Sequence, residues 1–121
     1  LAARSGPPGE AARQANAMAD LLLGDATVRT PEQAAARLSV SVRTLQRMAH
    51  RFVGLPPAAI IRRRRLQEAA QAVRAGRADD LAALAAEYGY ADHAHLTNEF
   101  RAVLGLTPSE YRSVSGTTEE R

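Results

Sequence analysis

The chain has 121 residues, a net charge of +3, sixteen arginines without a single lysine, and no cysteine. The missing cysteines exclude disulfides and thiolate metal sites, and no apolar run suits a membrane span or a signal peptide. Alanine and leucine favour helices, and no alternating run of strand length occurs, so we predict an all-α fold. Because the first residue is Leu, we expect a fragment or a processed chain.

The N-terminal part predicts one helix after an irregular start. Segment 1–9 contains Gly and Pro without periodicity, and we predict that it is disordered. From Glu10 to Leu23 the apolar residues recur at helical spacing, with Gly24 as the stop signal. The residues on the apolar face are Ala15, Met18, Ala19, Leu22 and Leu23.

Two further helices complete a first predicted lobe, residues 10–55. Thr30-Pro31-Glu32-Gln33 is a capping box, which predicts a short helix ending near Leu38. Ser41 is the expected cap of the next helix, which runs to about Val53 and stops at Gly54. A short helix, a turn and a second helix form a helix-turn-helix unit.

A long helix is predicted to connect this lobe to a second one. It occupies the linker 56–76, beginning at Pro56 or Pro57 and ending at Gly76. At ~1.5 Å per residue it spans nearly 30 Å.

The second predicted lobe covers residues 77–112. Asp80 is expected to cap a helix to Tyr88, and Asp92 to cap a helix that ends near Leu104. Thr107-Pro108-Ser109-Glu110 is another capping box, which begins a last short helix through Arg112. Segment 113–121 is polar and contains Gly, so we predict a frayed tail. The fold class is therefore all-α, with about seven helices in two helix-turn-helix subdomains.

The second lobe repeats the first at an offset of about 50–51 residues. The recurring residues include Leu45, Gly54 and Pro57 in the first lobe and Leu96, Gly105 and Pro108 in the second. In a helix-turn-helix the second helix enters the DNA major groove with its N-terminal residues leading. Two such units on a basic chain indicate a protein that contacts two places on one long anionic partner.

The helix after Ser41 combines an apolar face with an arginine-rich face. We predict that Leu45, Met48, Ala49 and Phe52 face inward. Arg43 and Arg47 can donate to guanine O6 and N7 or hold phosphates, and Gln46 can pair with adenine. The candidate DNA-binding residues here are Ser41, Arg43, Thr44, Gln46, Arg47 and Arg51. The alternative is an ordinary solvated face, but such faces normally mix charges of both signs.

The helix after Asp92 is less basic. We predict that Leu96, Phe100, Val103 and Leu104 pack inward. The candidate DNA-binding residues are His93, His95, Thr97 and Asn98. A metal site at His93 and His95 is disfavoured, because side chains two residues apart diverge on a helix, and we expect no metal and no cofactor.

The run Arg62-Arg63-Arg64-Arg65 on the linker helix surrounds the helix, so its members cannot all face DNA. We expect one or two to approach phosphates and another to bury its stem beside the core. The candidate phosphate contacts are Arg62, Arg65 and Arg101, and a solvated charge run is the alternative.

The motifs resemble the DNA-binding domain of the AraC/XylS family of bacterial transcription regulators. The matching elements in the second lobe are Gly89-Tyr90, Leu96-Thr97, Phe100-Arg101, Gly105, Thr107-Pro108 and Tyr111-Arg112. In the first lobe they are Thr44 to Arg47 and Gly54, with Arg65-Leu66 on the linker. The resemblance covers about residues 15–112. Two positions depart from the family pattern: Ala49 replaces an aromatic residue, whose space Phe52 is expected to fill, and Asn98 replaces an arginine.

The resemblance implies where the reading residues lie and which partners the chain has. Carried over by position, the readers are Arg43, Gln46 and Arg47 in the first lobe and His93, Ala94, His95 and Asn98 in the second. The family implies a C-terminal location in a longer bacterial regulator with an N-terminal effector-binding or dimerisation domain, contact with RNA polymerase, and a cytoplasmic location.

The predicted function is sequence-specific binding of double-stranded DNA, with the two recognition helices in successive major-groove segments about 34 Å apart. The alternative is that only the first lobe reads DNA and the second is a protein-interaction module for polymerase or a partner regulator. An enzyme is disfavoured, because the sequence has no paired carboxylates, phosphate-binding glycine loop or nucleophile–base pair.

Overall fold

A computed structural model describes residues 8–77 and 79–119, and this part of the chain contains seven α-helices and no strand. The helices are α1 (Pro8–Ala19), α2 (Pro31–Leu38), α3 (Val42–Phe52), α4 (Pro57–Arg74), α5 (Leu81–Glu87), α6 (His93–Leu104) and α7 (Pro108–Glu119). A π-helical turn, Asp20–Gly24, follows α1. The predicted all-α fold with two helix-turn-helix units is confirmed, the units being α2–α3 and α5–α6.

The chain divides into two compact units, and the division falls within α4. The first unit ends at Arg64 and the second begins at Arg65. The first core consists of Met18, Leu22, Val28, Ala34, Ala35, Leu45, Ala49, Ile60 and Ile61. The second consists of Leu66, Ala69, Ala70, Ala72, Val73, Leu84, Ala85, Tyr90, Leu96 and Phe100. Each unit thus buries the apolar face of its own helix-turn-helix.

Side-chain caps fix the start of four helices in both units. Thr30 Oγ1 accepts a hydrogen bond from the Gln33 amide (3.1 Å), and Ser41 Oγ from the Thr44 amide (3.0 Å). In the second unit, Asp80 Oδ1 accepts from the Ala83 amide at 3.0 Å, and Asp92 caps α6. These caps satisfy amides that the helix itself leaves unbonded, and the predicted helix starts at these positions are confirmed.

The capping box at Thr107 is complete in both directions. Thr107 Oγ1 accepts from the Glu110 amide (3.2 Å), and Glu110 Oε1 accepts from the Thr107 amide (2.9 Å). The predicted end near Arg112 is wrong, because α7 continues to Glu119. Once a turn has nucleated, each added residue costs little, and one interior glycine does not stop the helix. The frayed tail is therefore wrong for residues 113–119, while residues 120 and 121 lie outside the described part.

The first helix differs from the prediction in its start and in its apolar face. It begins at Pro8, where proline suits the first helical position, so Pro8 and Gly9 do not belong to the predicted disordered segment; residues 1–7 lie outside the described part. Leu23 is exposed, whereas Leu21 packs against the first core. The wider π turn breaks the 3.6-residue period on which the predicted face depended.

The predicted apolar faces extend too far along α3 and α6. Phe52 is 44% exposed, and Val103 and Leu104 are 50% and 39% exposed. All three were predicted to face inward, and Phe52 was expected to fill space beside Ala49, which is itself fully buried. Periodicity defines a helix face, but it does not say how far the neighbouring elements extend along that face.

Arg64 is the one charged side chain in the described residues that the folded chain buries, at 3% exposure. Its guanidinium donates to the carbonyl oxygens of Leu21 (3.4 Å), Leu22 (3.2 Å) and Val28. These carbonyls lie at and after the π turn, where the helix leaves acceptors unsatisfied. Arg64 therefore closes the C-terminal end of the first helical segment.

No helix in the described ranges is both long and apolar enough to cross a membrane.

Candidate nucleic-acid interface

Helix α3 is held by one face and exposes the other. Leu45 and Ala49 are fully buried, and Met48 and Val42 pack at the edge of the first core. Ser41 fixes the N-terminal end, because its hydroxyl oxygen accepts from the Thr44 amide. These anchors determine the orientation of every outward side chain on the helix.

The outward face of α3 carries the predicted reading residues. Arg43, Gln46, Arg47, His50 and Arg51 are all exposed, while Thr44 is partly buried. Arg43, Arg47 and His50 follow the i, i+4, i+7 spacing and so form one row. The face contains no acidic side chain, since the helix has the sequence VRTLQRMAHRF.

Two of the predicted reading residues, Ser41 and Thr44, form the N-terminal cap of α3. The Ser41 hydroxyl donates to Thr44 Oγ1 (3.1 Å), and an Arg47 guanidinium nitrogen lies 3.4 Å from the same oxygen. Ser41 and Thr44 therefore support the helix start. The Arg47 contact is long for an N–H···O bond, so the guanidinium exchanges it for a stronger acceptor at little cost.

Several arginines outside α3 have acidic partners, unlike those of α3. Arg37 pairs with Asp25 (2.9 Å), Arg77 with Glu87, and Arg112 with Asp79 (3.1 Å). Hydrogen bonds from Thr27 and the charge of Arg37 lower the pKa of the Asp25 carboxyl. The Glu87 carboxylate raises the pKa of Arg77.

By contrast, within residues 8–77 and 79–119 no acidic group pairs with Arg43, Arg47 or Arg51. The exposed row of α3 is thus a concentrated, uncompensated positive charge, as phosphate binding requires.

Helix α6 has the same anchoring but a different surface. Leu96 and Phe100 are fully buried, and the Phe100 ring meets the Tyr111 ring edge-on at 5.3 Å. The side chains of His93, His95, Asn98 and Arg101 are exposed, and Thr97 is partly buried. The row equivalent to that of α3 consists of Ala94, Asn98 and Arg101, so it carries one positive charge in a different place.

Two hydrogen bonds between side chains and backbone amides form the cap at the N-terminal end of α6. Asp92 Oδ1 accepts from the His95 amide (2.8 Å), and His95 Nδ1 accepts from the Ala91 amide (3.1 Å). Tyr90, which is buried, meets the His95 ring at 5.1 Å and 81°. His95 is consequently the most constrained of the predicted reading residues in this helix.

The four consecutive arginines of α4 have three different surroundings. Arg62 and Arg63 are exposed, and Arg64 is buried against backbone carbonyls. Arg65 is partly buried, with its guanidinium carbon 5.1 Å from the centre of the Tyr90 ring. The sequence predicts that one of the four packs beside the core, but four identical neighbours give no signal for which one.

No group of three potential ligands among the described residues could hold a metal ion. The predicted reading residues lie in two separate groups. One lies on α3 and the other on α6, each in its own unit.

Comparisons with known proteins agree with this architecture. A family described as "Helix-turn-helix domain" matches residues 34–113. A transcriptional regulator from Chromobacterium violaceum, described as one of the AraC-type DNA-binding domain-containing proteins, aligns with a TM-score of 0.75 and 18% identity, over 88% of this chain and 96% of that one. The C-terminal domain of AraT, a response regulator from Geobacillus stearothermophilus, aligns with a TM-score of 0.66 and 21% identity, over 86% and 84%. No curated protein sequence matches significantly.

Proposed function

The chain belongs to the AraC/XylS family of helix-turn-helix DNA-binding domains, and on that premise we propose that it recognises a specific duplex with two different helices, α3 and α6. As a member, it is a DNA-binding domain of a transcription regulator, which is not an enzyme class. The proposal concerns which side chains contact the DNA and how many units take part.

The observation that carries the proposal is the exposed row on α3. Arg43 and Arg47 project from a helix whose start is fixed by Ser41, and neither has an acidic partner among the described residues. An arginine fork donates two parallel hydrogen bonds to guanine O6 and N7 in the major groove. Gln46 suits adenine, and Arg51 suits a phosphate near the end of the helix.

We assign α6 the role of a second, weaker reader. Asn98 and Thr97 can hydrogen-bond to base edges, and His93 and His95 lie in the first turn, which leads into the groove. If both helices occupy successive major-groove segments, the site is asymmetric, because the two readers differ.

Phosphate contacts are proposed for Arg62 and Arg101, whose side chains are exposed. Arg65 is a poorer candidate than its sequence position indicates, because its guanidinium packs on the Tyr90 ring. RNA polymerase and an N-terminal effector-binding or dimerisation domain are partners that the family implies. The bacterial cytoplasm, where the DNA is, is the proposed location.

The alternative, in which only the first unit reads DNA, has one observation in its favour. The outward row of α6 offers Ala94 and Asn98 where α3 offers Arg43 and Arg47. Such a face gives fewer phosphate contacts, and phosphate contacts supply most of the non-specific affinity. In that case the second unit is free to contact another protein.

The test is selection of bound duplexes from a random pool, followed by footprinting of the selected duplex with the full chain. Two engaged helices protect two segments about one helical turn apart, whereas one engaged helix protects a single segment. Failure to enrich any sequence contradicts sequence-specific binding.

Asn98→Arg sharpens the distinction between one reader and two. If α6 lies against DNA, the added charge strengthens binding and steepens the salt dependence by about one phosphate contact. An unchanged affinity and an unchanged salt slope favour the one-reader alternative. Gln67→Arg, which adds the same single charge at an exposed position of α4, controls for a general gain from positive charge.

A further inference from the structure

We infer that His95 is held as a single tautomer, with its proton on Nε2, and acts as an obligate hydrogen-bond donor to DNA, with Tyr90 and Arg65 as positioning residues. The inference rests on the proposed function of α6 for its DNA contact. The tautomer itself is a property of the free protein.

The Ala91 amide donates a hydrogen bond to His95 Nδ1, at 3.1 Å. An amide nitrogen only donates, so Nδ1 must be the unprotonated acceptor nitrogen of the ring. Neutral imidazole carries one proton, which is then on Nε2. Gln33 makes the same bond in the first unit, where its Oε1 accepts from the Arg29 amide at 2.7 Å.

Tyr90 and Arg65 support the His95 ring from the protein side. Tyr90 packs nearly perpendicular to His95, with ring centres 5.1 Å apart, which is a favourable edge-to-face geometry. The Arg65 guanidinium carbon lies 5.1 Å from the centre of the Tyr90 ring, a cation–π distance. Both residues are at most partly exposed, so they restrict the ring from the protein side.

The Nε2–H group of His95 is available to bind DNA. The His95 side chain is exposed, and within the described part of the chain no acceptor binds its Nε2. A fixed Nε2–H discriminates between acceptors and donors in the groove. Purine N7, guanine O6, thymine O4 and phosphate oxygens accept, whereas the cytosine major-groove edge presents an amino donor. If the acceptor is a base edge, the contacted position disfavours cytosine on that strand, whereas a phosphate acceptor gives no preference for a base.

The tautomer is tested by 15N NMR on the free chain at about pH 8.5, well above the ordinary histidine pKa of about 6.5. We expect an unprotonated Nδ1 in His95 with a scalar coupling to the Ala91 amide nitrogen. His93 and His50 are exposed controls and should show the ordinary tautomer mixture without such coupling. A protonated Nδ1, or a His95 indistinguishable from His93, overturns the inference.

The positioning role is tested by a pair of variants at Tyr90. Tyr90→Phe keeps the aromatic ring and should keep the coupling between Ala91 and His95. Tyr90→Leu keeps an apolar side chain but removes the ring, and should reduce that coupling while the remaining α6 amide signals persist. An intact coupling in Tyr90→Leu overturns the role of Tyr90 and, with it, that of Arg65.

The DNA contact is tested with a second pair at His95, using the duplex selected from a random pool. Asn places its oxygen near the Nδ1 position and so preserves the cap, but it has no donor at the reach of Nε2. Gln places its amide nitrogen near that reach. His95→Asn should bind about three- to tenfold more weakly, as expected for one lost hydrogen bond. Its melting temperature should equal that of His95→Gln, because both variants lose the ring contact with Tyr90. His95→Gln should lose less affinity.

Modified duplexes distinguish a base from a phosphate as the acceptor. Replacing single purines by their 7-deaza analogues removes N7, and single methylphosphonates remove a phosphate charge. One modified position should weaken the wild type and leave His95→Asn unaffected, and its chemistry identifies the acceptor. Equal effects on both proteins at every position overturn the contact, even if the tautomer is as stated. Absence of any selected duplex contradicts the proposed function instead.

Discussion

The two helix-turn-helix units have the same scaffold and different surfaces. At an offset of 51 residues, Ser41 and Asp92 cap the second helix, and Leu45 and Leu96 are fully buried in the two cores. The outward rows differ completely, with Arg43, Arg47 and His50 on α3 and Ala94, Asn98 and Arg101 on α6. The repeated residues are those that build the fold, and the residues that differ are those available to read DNA.

From these surfaces we infer an unequal division of affinity and selectivity between the units. An uncompensated arginine row supplies long-range attraction to phosphates and bidentate contacts to guanine. A face of histidine, threonine and asparagine supplies single hydrogen bonds with little attraction. The first unit is accordingly expected to dominate affinity, while the second adds discrimination.

The largest effect is expected from the shared scaffold. Leu45→Ala and Leu96→Ala each remove a fully buried side chain and should lower the free energy of unfolding by about 2–5 kcal/mol. Urea unfolding measures both changes. If either variant unfolds like the wild type, the two cores are not equivalent.

The next effect should be confined to the first unit. Arg64→Met removes the donors to the carbonyls of Leu21, Leu22 and Val28, so it should cost about 1.5–3 kcal/mol. Arg63→Met, an exposed neighbour, should stay within about 0.5 kcal/mol. Amide hydrogen exchange in each unit shows where stability is lost, and equal loss in both units contradicts a local role.

The third effect concerns the outward rows directly. Arg47→Ala should weaken binding to the selected duplex by about 1–3 kcal/mol and relax base choice at one position. Asn98→Ala, at the equivalent position of α6, should lose less. Titration against the selected duplex and a randomised one separates base reading from phosphate contact. A larger loss for Asn98→Ala reverses the proposed ranking of the units.

The smallest effect concerns the turns. Ser39 in the first unit adopts a left-handed backbone with φ 59°, and Gly89 occupies the equivalent place with φ 86°. Gly89→Ala should cost about 1 kcal/mol, because side chains disfavour that conformation. Ser39→Gly should be neutral or slightly stabilising, since relief of strain opposes the added freedom of the unfolded chain. Thermal melting is the measurement, and a destabilised Ser39→Gly would show that the serine side chain supports the turn.

Sequence alone predicts the local parts of this fold well. The caps at Thr30, Ser41, Asp80 and Asp92 and the end of α6 at Leu104 depend on neighbouring residues only, and all agree with the structure. The extent of burial depends on other elements, which explains why Phe52 and Val103 were wrongly predicted to be inside. Arg64 finds its acceptors 36 to 43 residues away, a distance that no local pattern encodes.

Sequence likewise predicts one part of the candidate site, while another part depends on the tertiary fold. The outward positions of Arg43, Arg47 and Asn98 follow from helical periodicity and agree with the structure. The pairing of Ala91 with His95, and the packing of Arg65 on Tyr90, require the tertiary fold. Their functional roles remain predictions, since exposure places a side chain at the surface without showing what it binds.

We propose that two dissimilar helices of one chain read adjacent major-groove segments. Methylation interference on the selected duplex is the decisive experiment, because purine N7 methylation blocks major-groove contacts. We predict two groups of interfering guanines about one helical turn apart, with Arg47→Ala weakening the dependence in one group only. A single group, or interference that follows no position, contradicts the claim.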